Sequence, residues 1–316
     1  MPNLDVTEVA MAGFDLIRKR PVSVLVWGLV LIGWIALVLL LFAGGVVHDA
    51  VILARDPAAV RVGAVLGLVG RALGMAALLI AGSIILGTVV ISAAIRAELE
   101  PLTAPLRLMR LSGQELWVLG ALLVFGIIEM LLAWLVMTPF AILGFSSLAS
   151  ASALMHSGIV PAQALAGTLW LRLAAQALVP AALLWIFSRL SPGVVMSFRD
   201  RRFRLFEGWT LTRGNGMRMF LAMLLVWVML LVLDIAAGIV GVVVLIATLI
   251  FTPGIIHPAA FFDRPPMAWI EALLPAVVCL AILLVVLAGL RVALHWGAAA
   301  RAFSRLAPAD GAEVLA

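Results

Sequence analysis

Long apolar runs dominate the chain and alternate with short, arginine-rich connections. A helix needs about 20 predominantly apolar residues to cross a bilayer, and the runs lack the two-residue alternation of a strand. The pattern therefore predicts six membrane-spanning helices. They are predicted at Val22–Val46, Ala72–Ile95, Leu116–Met137, Leu165–Phe187, Met219–Gly241 and Leu273–His295.

The third and fifth apolar runs are longer than one span requires. Thr138-Pro139 follows the third predicted span, and Gly238 and Gly241 precede Thr252-Pro253 after the fifth. Proline and glycine are the residues at which helices break. Each of these runs is therefore predicted to be a span followed by a second, interfacial or re-entrant piece.

Three of the spans follow segments that share one plan: a short amphipathic piece, then arginine, then a glycine or proline turn. The segments are FDLIRKRPVSVLVWG (14–28), LRLMRLSGQELWVLG (106–120) and FRLFEGWTLTRGNGMRMF (203–220). At the N-terminus, Asp5 with Glu8 is expected to cap a helix that Pro21 ends. This plan predicts a helix in the cytoplasmic interface before each pair of spans. The alternative is that every junction at an anionic leaflet converges on such a pattern.

The predicted fold class is all-α, a polytopic membrane helix bundle. It has about six transmembrane helices as three hairpins, each preceded by a cytoplasmic interfacial amphipathic helix. Residues 1–316 are predicted to form a single integral membrane domain. Its hairpins lie at about 5–100, 101–198 and 199–306, and a short polar tail covers 307–316.

Composition excludes a water-soluble fold. The chain is 65% hydrophobic and 12% charged, whereas a soluble domain is about half apolar and a quarter charged. The sequence pI of about 11.1 comes from arginine. In a membrane protein that charge is expected to face anionic lipid headgroups rather than nucleic acid. A single cysteine, Cys279, excludes an intramolecular disulfide.

The basic residues are distributed unequally between the two sides of the predicted spans. Of the 21, fifteen fall on one side, four on the other, and Arg172 and Arg291 lie within spans. The positive-inside rule then places both termini in the cytoplasm of a multi-pass protein, predicted to be in the bacterial inner membrane. The arginines of the connection before the fifth span are predicted to contact anionic lipid. They are Arg199, Arg201, Arg202, Arg204, Arg213 and Arg218.

Three charges inside spans lie at a similar predicted depth: Glu129, Arg172 and Asp234. Such residues are rare because each costs about 2.5–3.5 kcal/mol at mid-helix on insertion scales. They are interpreted as an ion pair that joins spans three, four and five. A polar site for a substrate or proton is the first alternative, and incidental placement against lipid is the second. Arg291 and His295 lie near the cytoplasmic end of span six, where snorkelling explains them.

The other candidate features are weaker. Gly63, Gly67, Gly70 and Gly74 share one helix face and are expected to form a packing seam. The outer connections hold the remaining candidate metal ligands without ligand spacing, so no metal site is predicted. These are His48-Asp49, His156, His257 and Asp263. No phosphate-binding loop, nucleophile elbow or dinucleotide fingerprint occurs, and neither catalytic residues nor a cofactor are predicted.

The run Trp209-Thr210-Leu211-Thr212-Arg213-Gly214 before a span resembles a family of bacterial six-span proteins. This family includes the membrane domain of glycerophosphodiester phosphodiesterases, and YciC-like inner-membrane proteins are similar. The resemblance implies a six-span fold and supplies no catalytic residues. The phosphodiesterase chemistry of those fusions belongs to a separate soluble barrel, and no segment outside the spans is long enough to form one.

Two functional hypotheses follow. The first is a non-enzymatic inner-membrane protein that organises or handles lipid, which the basic cytoplasmic face and the scarce intramembrane charge favour. The second is a small transporter or channel component with a midplane site at Glu129, Arg172 and Asp234, because transporters place such sites at broken helices between repeats. The sequence identifies no protein partner.

The unequal distribution of basic residues predicts that both termini are cytoplasmic. A reporter that is active only in the periplasm should be silent when fused after Arg301 and active when inserted near Asp263. An external C-terminus would contradict the arrangement of six spans.

Overall fold

The computed structural model describes residues 4–55, 62–100, 109, 112–156, 162–251 and 266–307, and over these ranges the chain is helical without a strand. Eight helices lie in these ranges. They are α1 (Val6–Lys19), α2 (Pro21–Arg55), α3 (Val62–Leu99), α4 (Gly113–His156), α5 (Ala162–Asp200), α6 (Glu207–Leu211), α7 (Gly216–Phe251) and α8 (Pro266–Leu306).

Six of these helices are long and apolar enough to cross a membrane, which confirms the predicted class of multi-span helical protein. Among the described residues the candidate spans are Pro21–Val46, Val65–Leu99, Gly113–Leu135, Leu178–Asp200, Gly216–Thr248 and Leu273–Leu306. Helix α2 packs against α3, and α4 packs against α5. The arrangement as three repeated hairpins stays a prediction.

The fourth span ends later than predicted. Helix α5 continues past Phe187 to Asp200, and residues 188–198 of this extension are buried. Pro192-Gly193 is typical of a turn, but here it lies inside the helix, and the Ser197 hydroxyl donates to the Gly193 carbonyl at 2.8 Å. The arginine-rich connection therefore begins after Asp200, and Arg189 belongs to a helix rather than to a loop.

The predicted breaks in the third and fifth runs are wrong where the structure describes them. Helix α4 continues through Thr138 and Pro139, and α7 continues through Gly238 and Gly241 to Phe251. The Thr138 hydroxyl donates back to the Trp134 carbonyl at 2.6 Å, so its polar group is satisfied within the helix. Thr252-Pro253 lies outside the described residues.

Helix α1 begins and ends as predicted. Asp5 Oδ1 accepts the backbone N–H groups of Thr7 at 2.8 Å and Glu8 at 3.2 Å, and Pro21 is the first residue of α2. Its apolar face is not free for lipid, however. A Cβ at Gly13 would lie 2.4 Å from the Leu294 Cα of α8, so the two backbones are in contact.

Of the other two predicted interfacial helices, only the one before the fifth span lies within the described residues. In the second predicted segment, residues 106–108, 110 and 111 lie outside the described residues, and α4 begins at Gly113. Before the fifth span, residues 201–206 form turns, and only the five residues of α6 are helical. Arg201 adopts φ 52°, a left-handed conformation that closes the end of α5. A continuous amphipathic helix over 199–213 is therefore not formed.

The described chain divides into two compact units. The first comprises the described parts of Met1–Val9, Ser112–Leu224 and Ala299–Ala316, and the second those of Ala10–Leu111 and Leu225–Ala298. Neither unit coincides with one of the predicted hairpins, because most of the first and third hairpins belong to the second unit.

Within the second unit, α2 and α8 approach through paired glycines. A Cβ at Gly28 would lie 1.9 Å from the Val285 carbonyl oxygen, and a Cβ at Gly289 would lie 2.1 Å from the Val24 carbonyl oxygen. Close backbone contact through small residues is typical of membrane helices, which gain no hydrophobic free energy when they associate in lipid. These two glycines therefore form a packing seam.

The seam predicted from Gly63, Gly67, Gly70 and Gly74 is not formed within the described part of the chain. All four are exposed, and a Cβ at any of them would meet no atom within 4 Å. Regular spacing of glycine identifies a face that permits close approach, but only the partner helix decides whether the approach occurs.

The glycine contacts predict a position-specific loss of stability. Gly28→Leu places its side chain against the α8 backbone and should cost about 1–3 kcal/mol, as overpacking does in other cores. Gly33→Leu is the matched control, since it lies on the same helix with nothing within 4 Å. The melting temperature in mild detergent should fall only for Gly28→Leu; equal melting of the two variants would contradict the seam.

Candidate functional site

The structure describes the side chains of two of the three predicted intramembrane charges. Asp234 on α7 accepts a 2.6 Å hydrogen bond from Arg291 Nη2 on α8. Glu129 is half-buried on α4. Arg172 lies in the part of α5 whose side chains are outside the structural description, so a cluster of Glu129, Arg172 and Asp234 stays a prediction.

Snorkelling does not account for Arg291, which is bonded to Asp234 instead. The pair was missed because span six was predicted to end at His295. Helix α8 continues to Leu306, which places Arg291 roughly 23 Å from that end, and Asp234 lies roughly 27 Å from Gly216, at 1.5 Å per helical residue. The Asp234 side chain is 39% exposed, and the Arg291 side chain is 53% exposed. The pair therefore lies at the surface of the α7–α8 contact and not in a sealed core.

Two of the six arginines predicted to contact lipid are already neutralised by carboxylates. Arg199 Nε lies 2.8 Å from Asp200 Oδ1, and Arg204 pairs with both Asp200 and Glu207. The hydrogen bonds that Arg204 donates to Glu207 and Asp200 raise its pKa above the usual value. The Arg199 guanidinium also lies 4.7 Å from the centre of the Phe303 ring. Both side chains therefore hold the end of α5 and the following turns together.

The other four predicted lipid contacts, Arg201, Arg202, Arg213 and Arg218, are exposed and form no ion pair with the described residues. Three large aromatic side chains are exposed in the same segment: Phe203 at 39%, Phe206 at 56% and Trp209 at 43%. The rings of Phe203 and Phe206 lie edge to face, with centroids 6.1 Å apart. We call these four arginines and three aromatic residues the basic-aromatic surface.

Arg189 is the arginine whose role the sequence did not indicate. It is 9% exposed, and its Nη1 donates to the Thr212 carbonyl at 2.9 Å. Its guanidinium lies 4.5 Å from the Trp209 ring centre and 5.9 Å from that of Trp185. Counting Arg189 as a loop charge missed this contact because α5 was predicted to end before it.

Two glycines bring α6 against α5 so that Arg189 can reach the next turn. A Cβ at Gly193 would lie 2.0 Å from the Leu205 carbonyl oxygen, and a Cβ at Gly208 would lie 2.6 Å from the Gly193 nitrogen. Any side chain at these positions would separate the two segments. Pro192-Gly193 thus serves as a contact surface on a continuing helix.

The N-terminal residues Leu4 and Glu8 contact two other parts of the first compact unit. The Leu4 N–H donates to Asn215 Oδ1 at 3.5 Å, just before α7. Glu8 accepts a hydrogen bond from Arg305 Nε at 2.9 Å and lies 3.5 Å from Arg301 Nη1, both near the end of α8. Glu8 therefore pairs with α8 instead of completing a capping box with Asp5.

No cluster of three or more metal-ligating side chains occurs among the described residues. The His48-Asp49 side chains, His156 and His257 with Asp263 fall outside the side-chain description. The described site thus consists of arginine, aromatic rings and backbone groups. Arginine attracts negative charge, and its guanidinium stacks on aromatic rings.

The Asp234–Arg291 pair predicts coupled effects of substitution. Asp234→Asn or Arg291→Gln alone leaves an unpaired charge in a span and should lower the melting temperature in detergent, while the double variant should recover much of the loss. A coupling energy of about 0.5–3 kcal/mol is typical of residues in contact. The comparison is the double variant Arg172→Gln with Asp234→Asn. If its effect on the melting temperature is coupled while the effects of Arg291→Gln and Asp234→Asn are additive, the cluster predicted from sequence is favoured over the Asp234–Arg291 pair.

Comparison of the chain with protein-family models, with curated proteins and with solved structures finds no match. The resemblance to the membrane domain of glycerophosphodiester phosphodiesterases and to YciC-like proteins therefore rests on the sequence pattern alone.

Proposed function

We propose that this chain is a non-enzymatic, multi-spanning protein of the bacterial inner membrane that organises or handles lipid. Its cytoplasmic side binds anionic headgroups, and both termini lie on that side. The resemblance to bacterial six-span membrane proteins supports the expected fold, and it supplies no activity.

The observation that carries the proposal is the basic-aromatic surface. Phe206 is more than half exposed, and exposed arginines follow and precede it in the chain. Aromatic side chains favour the headgroup level of a bilayer, and each basic residue near an anionic surface contributes about 1 kcal/mol. A signal for orientation alone would need the charges but would have no use for exposed rings among them.

The two carboxylates of this segment strengthen the proposal by their positions. Asp200 and Glu207 are held by Arg199 and Arg204, so their negative charge is balanced within the protein. The arginines that remain exposed therefore present a net positive surface. Anionic phospholipid is the partner whose chemistry matches that surface.

A transporter or channel component is the second candidate, and the Asp234–Arg291 pair is the observation that favours it. Ionisable residues in membrane spans often mark a substrate or ion pathway, and this pair is only partly covered by protein. A pathway would use these residues together with Glu129 and Arg172. Labelling of introduced cysteines at neighbouring positions, in a Cys279→Ser background, would reveal water access to the pair.

Lipid retention tests the proposed function. Full-length protein purified in mild detergent should retain phosphatidylglycerol in preference to phosphatidylcholine, and a triple Arg201→Gln, Arg202→Gln, Arg213→Gln variant should lose that preference. Removing three charges of about 1 kcal/mol each should weaken retention at least about tenfold at low salt. Phe203→Ser with Phe206→Ser should weaken retention of both lipids, because it removes apolar contact and leaves the charge.

Arg204→Gln combined with Glu207→Gln is the matched control, since it removes a guanidinium together with a carboxylate that it pairs with and leaves the net charge unchanged. It should retain phosphatidylglycerol as the wild type does. Equal retention of the two lipids by the wild type, or an equal loss in this double variant and the triple variant, would contradict a lipid-selective surface.

A further inference from the structure

The Asp234–Arg291 pair lies near the middle of two candidate spans. At 1.5 Å per helical residue, Asp234 is roughly 27 Å and 21 Å from the two ends of Gly216–Thr248. Arg291 is roughly 27 Å and 23 Å from the two ends of Leu273–Leu306. The hydrocarbon core of a bilayer is about 30 Å thick, so a pair midway along both helices lies inside it.

The hydrogen-bonding groups of this pair are only partly used. A single hydrogen bond joins Arg291 Nη2 to Asp234 Oδ1, and neither side chain forms another one within the described chain. A guanidinium carries five N–H donors, and a carboxylate can accept about four hydrogen bonds. Hydrocarbon supplies neither donors nor acceptors. The exposed side of the pair therefore needs protein or water beside it.

The two helices that carry the pair are the least covered of the six candidate spans. In the apolar stretch of each span, 6% of the residues are buried in α7 and 11% in α8, whereas the other four spans have 17% to 44%. Lipid covers apolar side chains without penalty, so this exposure alone identifies no partner. Ionisable residues in spans, however, almost always face protein or a water-filled cavity.

Exposed residues surround the pair on one side of α7 and α8. At 100° per residue, two positions on each helix lie within about 40° of its charged residue. They are Gly238 and Leu245 on α7 and Val277 and Leu284 on α8, and together with Asp234 and Arg291 they define the pair-bearing face. A Cβ at Gly238 would meet no atom within 4 Å. Such a position allows the backbone of another helix to approach closely.

The pair-bearing face is complementary to a second copy of itself. Copies inserted by the same charge signal share one orientation, so a two-fold axis that relates two of them runs along the membrane normal. Rotation about this axis keeps each residue at its depth and reverses directions in the membrane plane. The Asp234 carboxylate of one copy can therefore meet the Arg291 guanidinium of the other, and this contact occurs twice.

We propose that the pair-bearing face is the interface of a homodimer in the membrane. In it, Asp234 and Arg291 of the two copies form a closed network of four charges, which supplies partners for the groups that one copy leaves unused. The absence of a side chain at Gly238 lets the two α7 helices come close enough for this contact. The inference goes beyond the proposed function and does not depend on it, because the basic-aromatic surface belongs to the other compact unit.

Cross-linking in liposomes tests the interface. The full-length Cys279→Ser protein is reconstituted at a low protein-to-lipid ratio and treated with a bismaleimide. Leu245→Cys should cross-link to a dimer, because position 245 lies on the pair-bearing face. Val243→Cys is the matched control, since it lies half a turn away from Asp234 on the same helix and is similarly exposed, at 60% against 51% for Leu245. It should not cross-link.

Gly238→Leu separates contact from charge. It keeps both charged residues, and its side chain enters open space in a single copy, so it should fold and yet abolish the Leu245→Cys cross-link. Gly33→Leu, which also has nothing within 4 Å, should leave the cross-link unchanged.

Two charge variants test the network itself. Asp234→Asn removes both carboxylates and should weaken dimerisation at least about thirtyfold, as truncating one partner of a buried charge pair does. The exchange of Asp234→Arg with Arg291→Asp keeps the face self-complementary. This double variant should form dimers with itself but not with the wild type when differently tagged copies are reconstituted together.

The outcomes separate the interface from the alternatives. A Leu245→Cys cross-link that Gly238→Leu abolishes supports the dimer, and failure of the exchanged variant to pair with the wild type assigns it to the charges. Equal cross-linking at positions 243 and 245, no cross-link at either, or a cross-link that Gly238→Leu leaves unchanged overturns the interface, whether or not the charge variants fold. A monomer whose Leu245→Cys reacts with a water-soluble maleimide also overturns it and supports an aqueous pathway beside the pair. Retention of phosphatidylglycerol by the basic-aromatic surface is measured separately and decides the proposed function by itself.

Discussion

Hydrocarbon cannot solvate a backbone N–H or C=O group, and this constraint determines where the chain leaves the helical conformation. An unsatisfied group costs several kcal/mol in the membrane interior, so a proline or glycine there is absorbed into a helix. Helix α4 passes through Pro139 and α7 passes through Gly238 and Gly241 for this reason. The longest irregular backbone of the described chain lies instead between α5 and α7, where the Arg189 guanidinium donates to the Thr212 carbonyl and the Ser197 hydroxyl accepts the Arg204 N–H.

Association of the helices depends on a second consequence of the same solvent. Apolar side chains gain little by leaving lipid for protein, so contact has to come from close packing of backbones. Gly28 and Gly289 provide it between α2 and α8, and Gly193 and Gly208 provide it between α5 and α6. The four regularly spaced glycines of α3, which predicted a packing seam, contact no other helix in the described chain. A glycine face therefore forms a seam only where a partner helix lies against it.

The sequence predicted those features that depend on local chemistry or on length. Six spans follow from apolar length, and the start of α1 follows from Asp5 and its neighbours. The predicted end of α5 was wrong because Pro192-Gly193 has the composition of a turn. The structure shows that Gly193 instead contacts Leu205 and Gly208, and the sequence does not reveal that contact. The role of Arg189 was hidden for the same reason: a residue assigned to a loop has no helix face and therefore no predicted neighbours.

The arginines between α5 and α7 occupy three physical settings that a count of charges does not distinguish. Arg204 is paired with carboxylates, Arg202 is exposed, and Arg189 is buried between aromatic rings and a helix end. Topology requires only that positive charge lie on one side, and lysine would meet that requirement equally well. At position 189 lysine would not serve, because its compact, strongly hydrated ammonium cannot stack on the Trp185 and Trp209 rings as a planar guanidinium does. The exposed charge and the buried charge are therefore separate properties of one segment, and the fold of α5 onto α6 is what separates them.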